Sequence, residues 1–259
     1  MVEDKASLKR EMDKIQKQLD TLTTKLESLA TVEKVERIRT HIKGFDAKIG
    51  GGIPRSHVVL LAGPTGTMKS SIALSILSHH IEAGGSGSYL TLEESKESLL
   101  GTAAGLGLGL DAGSIVDIGE MRRVEDVAKD AGNWFDIITK FLTRTKKKPS
   151  LIVLDSLNVL NSFDDISSSR DAISGFFHSM REQEITTIVL SEAEGPMMFK
   201  QHEDRVADGV IFLCFDVSHK SGTCLTIHCG KMRHTKHSMD YFHLDFENGE
   251  FFISEVRAQ

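Results

Sequence analysis

Lys69 and Ser70 are the residues best placed by type and spacing to do chemistry. They follow the turn Gly63-Pro64-Thr65-Gly66-Thr67-Met68 and precede Ser71. A loop wrapped over a helix N-terminus aims several backbone N–H groups at one spot, where the helix dipole also favours anions. Lys69 is then the cation expected to reach the β- and γ-phosphates of a triphosphate, and the Ser70 hydroxyl a ligand for Mg²⁺. Met68 stands where the phosphate-loop pattern has a glycine before the lysine. Glycine there lets backbone approach phosphate closely, so Met68 is expected to weaken or retune binding.

Further along the chain, Leu151-Ile152-Val153-Leu154 runs into Asp155. An acid closing a buried strand downstream of such a loop is the Walker-B arrangement, with Asp155 serving Mg²⁺ opposite Ser70. Glu93 and Glu94 follow the strand-like Ser88 to Leu92. They admit two readings: one glutamate polarises an attacking water, or both merely enrich a helix N-terminus in acid. Lys231 and Arg233 lie two apart and would share a face on extended chain, fit to clamp an anion; a solvated loop is the alternative. His234 and His237, without supporting ligands, make a weak metal motif.

These residues need a scaffold, and the hydrophobic pattern supplies one. Val58 to Ala62 reads as a strand buried on both faces, and Ser70 to Leu77 as the helix after the loop. Strands at Ser88–Leu92, Ser114–Ile118, Leu151–Ser156 and Thr186–Leu190 alternate with helices at 96–113, Val124–Arg144 and Ser168–Gln183. That alternation predicts a mostly parallel sheet flanked by helices. From Ala207 the long helices cease. Strands at Val210–Phe215, Cys224–His228, Tyr241–Phe246 and Phe251–Ser254, with turns at 217–222 and Glu247-Asn248-Gly249, predict an antiparallel finish. Residues 33–56 read as a loop-rich junction around a short helical piece, its Gly50-Gly51-Gly52 a possible hinge.

Leu8, Met12, Ile15, Leu19, Leu22, Leu26 and Leu29 step by alternating fours and threes. This a/d seam predicts a coiled coil over residues 1–34 that pairs with itself or a partner; one amphipathic helix lying on the domain over residues 35–259 is the alternative. The formal charge is −6 over 259 residues, with Lys146-Lys147-Lys148 the one basic run, so charge does not advertise nucleic acid. No stretch approaches the ~20 apolar residues of a membrane span, and no signal-peptide core is present. Cys214, Cys224 and Cys229 read as buried thiols in a reducing, cytoplasmic compartment.

Taken together, GFDAKIGGGIPRSHVVLLAGPTGTMKSS, YLTLEES, LIVLDSL, TTIVLSE, ADGVIFL and KMRHTKH resemble, in order, the KaiC-like branch of the RecA superfamily of ATPases. The resemblance covers about residue 38 to the end and leaves the heptad seam outside. It implies a RecA-type P-loop domain that forms a homo-oligomer, a hexameric ring, with ATP between subunits. Gly63 to Ser71 would bind phosphate, Ser70 and Asp155 would serve Mg²⁺, and Glu93 with Glu94 would be catalytic alongside Lys69. Lys231 and Arg233 would reach a neighbour's γ-phosphate. The pattern is that of a single-domain, archaeal-type member; one such relative is the ATP-binding regulatory subunit of the archaellum motor. The two-domain clock protein autophosphorylates near the equivalent of residues 197–205, which here carry no hydroxyl, so autokinase activity is not expected. The reading is a slow Mg-ATPase acting as an assembly switch. The alternatives are a recombinase-like DNA-binding ATPase and a scaffold that binds nucleotide without hydrolysing it.

Overall fold

The computed structural model describes residues 12, 14–23, 35–119, 134–145, 147–159, 170–195, 198–200, 202–217 and 222–256. The chain divides into two compact units, Met1–Glu36 and Arg37–Gln259. In the first, residues 14–23 are helical, and Met12, Ile15, Leu19 and Leu22 of the heptad seam are exposed. Leu8, Leu26 and Leu29 lie outside the described residues, as do residues 124–133, 168–169 and 218–221 of the expected elements, Lys146 and Met197.

The second unit opens with more structure than its glycines suggested. Arg37–Ile38 (β1) pairs antiparallel with Ile53–Pro54 (β2), bracketing the short helix Phe45–Lys48 (α1). Gly50, Gly51 and Gly52 all have positive φ, at 70°, 104° and 123°. A Cβ on Gly52 would collide with the Ile38 carbonyl. The triple glycine is thus a fixed turn, and the expectation of a hinge does not survive.

Val58–Gly63 (β3) is buried along its whole length, which its unbroken apolar run requires. Lys69–Glu82 (α2) follows it. Then come Gly87–Thr91 (β4), Lys96–Gly105 (α3), Ile115–Asp117 (β5), Trp134–Arg144 (α4), Leu151–Asp155 (β6), Arg170–Glu182 (α5), Thr186–Glu192 (β7) and the short Glu203–Val206 (α6). Gly209–Asp216 (β8), Cys224–Met232 (β9), Tyr241–Glu247 (β10) and Glu250–Glu255 (β11) complete the chain. Among the described residues they form one nine-stranded sheet in the order β11-β10-β9-β8-β3-β7-β6-β4-β5. From β8 through β5 the pairing is parallel; from β8 to β11 it is antiparallel. Asn248 and Gly249 close the last hairpin with φ of 53° and 84°, the two positive values of a type I′ turn.

The sheet is covered on both faces, as a parallel sheet must be. Val59 and Leu61 join Ile72, Leu74 and Ile76 of α2 on one side. Val58, Leu60 and Ala62 join Ile138 of α4 and Phe177 of α5 on the other. Each such buried Val, Leu, Ile or Phe side chain contributes roughly 1.5–3 kcal/mol.

The strand order decides where chemistry gathers. β3 and β4 are consecutive in sequence, yet β7 and β6 lie between them. The carboxyl ends of four neighbouring strands, β3, β7, β6 and β4, therefore share one edge and carry Gly63, Glu192, Asp155 and, just beyond Thr91, Glu93. Open α/β sheets place their ligands at this edge.

The thiol expectation needs a correction. Cys229 is buried, and burial pushes its pKa up to about 12. Cys214 and Cys224 are only partly buried, because they sit toward the free end of the β8–β9 ribbon.

Candidate functional site

The loop after β3 owes its shape to three backbone positions. Gly63 passes so close to β8 that a Cβ would strike the Leu213 carbonyl. Gly66 has φ 85°. Met68 is the N-cap of α2, with φ 62° and ψ 24° and no side-chain cap bond. Methionine thus holds the left-handed conformation that glycine adopts freely, while its partly buried side chain packs against the core cluster to which Ile72 belongs. The first in-helix bond here runs from Ile72 N–H to Met68 O at 3.0 Å. The preceding N–H groups have no partner one turn back and face the loop, an arrangement suited to phosphate oxygens.

Lys69 Nζ donates to Gly63 O and Pro64 O, both at 2.9 Å. Burial lowers its pKa, against the opposing pull of Glu192, Asp155 and Glu93. Ser70 Oγ donates to Asp155 Oδ2 at 3.1 Å. Asp155 is buried, and burial raises its pKa, opposed by the hydroxyls of Tyr89 and Ser70. A hydroxyl and a carboxylate brought together this way are hard oxygen donors, and they fit Mg²⁺.

Thr65, Gly66, Met68, Lys69, Ser70, Ser71, Glu93, Glu94, Asp155, Ser156 and Glu192 line one cavity of about 330 Å³. The remaining loop residues do other work. Gly63 and Pro64 supply the carbonyls that hold Lys69, and buried Thr67 donates to Pro64 O at 2.7 Å.

The two glutamates diverge. Glu93 accepts a hydrogen bond from Ser156 Oγ. Glu94 Oε2 accepts from Ser98 Oγ at 2.7 Å, and it is Ser95 that caps α3 by accepting from Ser98 N–H. Tyr89, Ser156 and Glu192 escaped the sequence reading. Tyr89 donates to Asp155 Oδ2, and Glu192 Oε1 accepts from Thr65 Oγ1 at 2.8 Å. A phenol in the apolar stretch Tyr89-Leu90 of a strand was the available signal, since a buried hydroxyl needs a partner.

Lys231 and Arg233 are absent from this cavity. Lys231 Nζ donates to the carbonyls of Asp204 at 2.8 Å and Ala207 at 2.7 Å. Arg233 Nη1 donates to Asp208 Oδ1 at 3.1 Å and Nη2 to Arg205 O at 3.2 Å. Asp208 Oδ2 in turn accepts from Val58 N–H at 3.0 Å and from Arg181 Nε at 2.7 Å. Val58 begins β3, whereas the loop leaves its far end, so the strand's length of on the order of 15–20 Å separates the cations from the cavity. His234 and His237 gather no ligand set; among the described residues no group of three potential metal ligands occurs. No described helix is long and apolar enough to cross a membrane.

A family model described as the KaiC ATPase matches residues 38–255. The circadian clock oscillator protein KaiC 1 of Synechocystis sp. is 28% identical over 194 residues, 69% of this chain and 37% of that protein. KaiC of Thermostichus vulcanus is 27% identical over 230 residues, 83% of this chain and 44% of that protein. The chain thus spans less than half the length of these relatives. A crystal structure of a KaiC-like protein from the hyperthermophilic archaeon Pyrococcus horikoshii is 26% identical, with a TM-score of 0.72 covering 85% of this chain and 99% of that one.

Proposed function

The chain belongs to the KaiC-like ATPase family of the RecA superfamily, and on that premise we propose that it binds Mg-ATP between subunits of a homo-oligomeric ring, hydrolyses it slowly and changes assembly state with the γ-phosphate. The observation that carries this reading is the single cavity lined by Lys69, Ser70, Glu93, Glu94 and Asp155. Lys69 trades the Gly63 and Pro64 carbonyls for phosphate oxygens, and the free N–H groups at the start of α2 hold the rest. Ser70 and Asp155 hold the cation; bound there, Mg²⁺ would offset charge on the β- and γ-phosphates. Glu93 or Glu94 orients the attacking water.

Lys231 and Arg233 lie too far from their own cavity to serve it. Their position supports a role on a neighbouring subunit's nucleotide, where cations stabilise charge on the transferring γ-phosphoryl group. The exposed seam on residues 12–22 supports a coiled coil to a protein partner, and the mixed, net negative charge argues against nucleic acid. The cytoplasm is the compartment proposed.

The test is solution mass and nucleotide affinity of the full chain with Mg-ATP, beside Lys69→Ala and Asp155→Asn. We expect Mg-ATP to drive assembly of the parent protein, and both variants to lose it. Unchanged affinity and assembly in both would overturn the reading. One observation favours a second reading: seryl hydroxyls occupy both glutamates, which suits a scaffold that binds without hydrolysing. Phosphate release no faster than from a Glu93→Gln Glu94→Gln variant would select it.

A further inference from the structure

Tyr89 lies on β4, is wholly buried, and donates its hydroxyl to Asp155 Oδ2. Ser70 Oγ, from the first turn of α2, reaches the same oxygen at 3.1 Å. The same strand holds Asp155 by its main chain as well: Leu92 N–H, just past Thr91, donates to Asp155 O at 2.8 Å, in register with the Thr91–Asp155 pair. A third tie follows one residue on, where Ser156 Oγ donates to Glu93. Asp155 is therefore gripped by β4 at its carbonyl and its carboxylate. Among the described residues no donor reaches Oδ1, and Asp155 lines the cavity.

We propose that Tyr89 is a positioning residue for the cation site: its hydroxyl holds the Asp155 side chain in the one orientation that turns Oδ1 toward a metal ion beside Ser70. The inference rests on the reading of Ser70 and Asp155 as the Mg²⁺-holding pair. The physical basis is rotamer restriction. A carboxylate held by one hydroxyl alone can rotate about its two side-chain torsions, and Ser70 must itself turn its oxygen to a metal. A donor on the rigid neighbouring strand removes that freedom in advance. Groups that orient a ligand in this way matter for metal affinity without touching the metal. The phenol suits the task because its ring is buried in the core cluster that also holds Leu151 and Val153, which limits where its hydroxyl can lie.

The test uses the full chain, a fluorescent ATP analogue and three proteins: parent, Tyr89→Phe and Asp155→Asn. Analogue affinity is measured in EDTA and then as a function of Mg²⁺. Phenylalanine keeps the ring and its packing, so affinity in EDTA is expected to match the parent. The Mg²⁺ concentration for half-maximal effect is expected to rise about tenfold, the low end for losing such a partner. Paramagnetic resonance of Mn²⁺ in the site gives an independent readout, expected to broaden in Tyr89→Phe as the carboxylate samples more orientations. A Tyr89→Phe protein with parental Mg²⁺ dependence and Mn²⁺ spectrum, beside an Asp155→Asn protein that has lost both, overturns the inference alone. Should Asp155→Asn also behave as the parent, the underlying assignment of the cation site fails. Loss of EDTA affinity in Tyr89→Phe would mark a general structural role and overturn the proposal too.

Discussion

Arg233 Nη1 lies 3.1 Å from Asp208 Oδ1, and Asp208 also holds the first N–H of β3 at Val58. One carboxylate thus joins a cation at the opposite end of β3 from the cavity to the strand that runs into the phosphate loop. Burial alone would raise the Asp208 pKa, but the Arg181 and Val58 hydrogen bonds and the Arg181 charge outweigh it, and the net shift is downward. The acid stays ionised and holds the Arg233 guanidinium.

If Arg233 acts on a neighbour, its loss can be complemented. Arg233→Ala is expected to lower ATP turnover by on the order of 10²–10³-fold, as removal of a charge-stabilising donor does. Nucleotide affinity of the dilute protein should not change. Mixing it with the Glu93→Gln Glu94→Gln protein, itself inactive but with its loop and arginine intact, should restore phosphate release, because some interfaces then pair an intact site with an intact arginine. No recovery on mixing would exclude action between subunits.

Met68 sits at φ 62°, a region that costs an L-residue roughly 1–2 kcal/mol. Met68→Gly removes that strain but also the side chain packed beside α2, so folding stability should change by less than ~1 kcal/mol. Met68→Val, β-branched and ill-suited to positive φ, should lose roughly 1–2 kcal/mol more and weaken nucleotide binding. Thermal melts and analogue titrations decide; a valine variant equal to glycine in both would show that the loop is free to relax.

His41 stacks on His79 with ring centroids 4.5 Å apart. Partial desolvation of this largely exposed ring, then the neighbouring His79, lowers the His41 pKa from 6.5, with Arg39 acting the same way and Asp46 and Glu82 opposing. With the folded value below the unfolded one, the unfolded chain takes up the proton first. Stability is therefore complete above about pH 6.5 and declines as pH falls through the folded value. His80 and His228, shifted down by burial as well, add to the slope. His41→Asn, which tolerates the φ of 56° at this position, should flatten the melting temperature between pH 7 and 5. An unchanged slope would remove His41 from the account.

Much of this molecule was legible in one dimension. The unbroken apolar runs at 58–62 and 151–154 read as strands buried on both faces, and a glycine-bearing turn before Lys69-Ser70 at a helix start reads as a cradle of outward-facing N–H groups. The antiparallel finish followed from hairpin chemistry at Asn248-Gly249, where positive φ is required at both positions. These are local matters, settled by hydrophobic period and allowed backbone angles. Three things waited on the fold. The triple glycine looked like a hinge until the Ile38 carbonyl was found packed where a side chain would go. By sequence Met68 is a loop residue in a glycine's place, and only the fold shows that its backbone is left-handed and that it both lines the cavity and packs against the core cluster. Tyr89 drew no notice, since nothing near it in sequence says that β4 lies beside β6 and delivers a phenol to Asp155. Strand order is a property of the whole chain, fixed by how the helices cover both faces of the sheet. So the ingredients of the site were written locally, whereas their company, and the distance that separates Arg233 from its own loop, came only from packing.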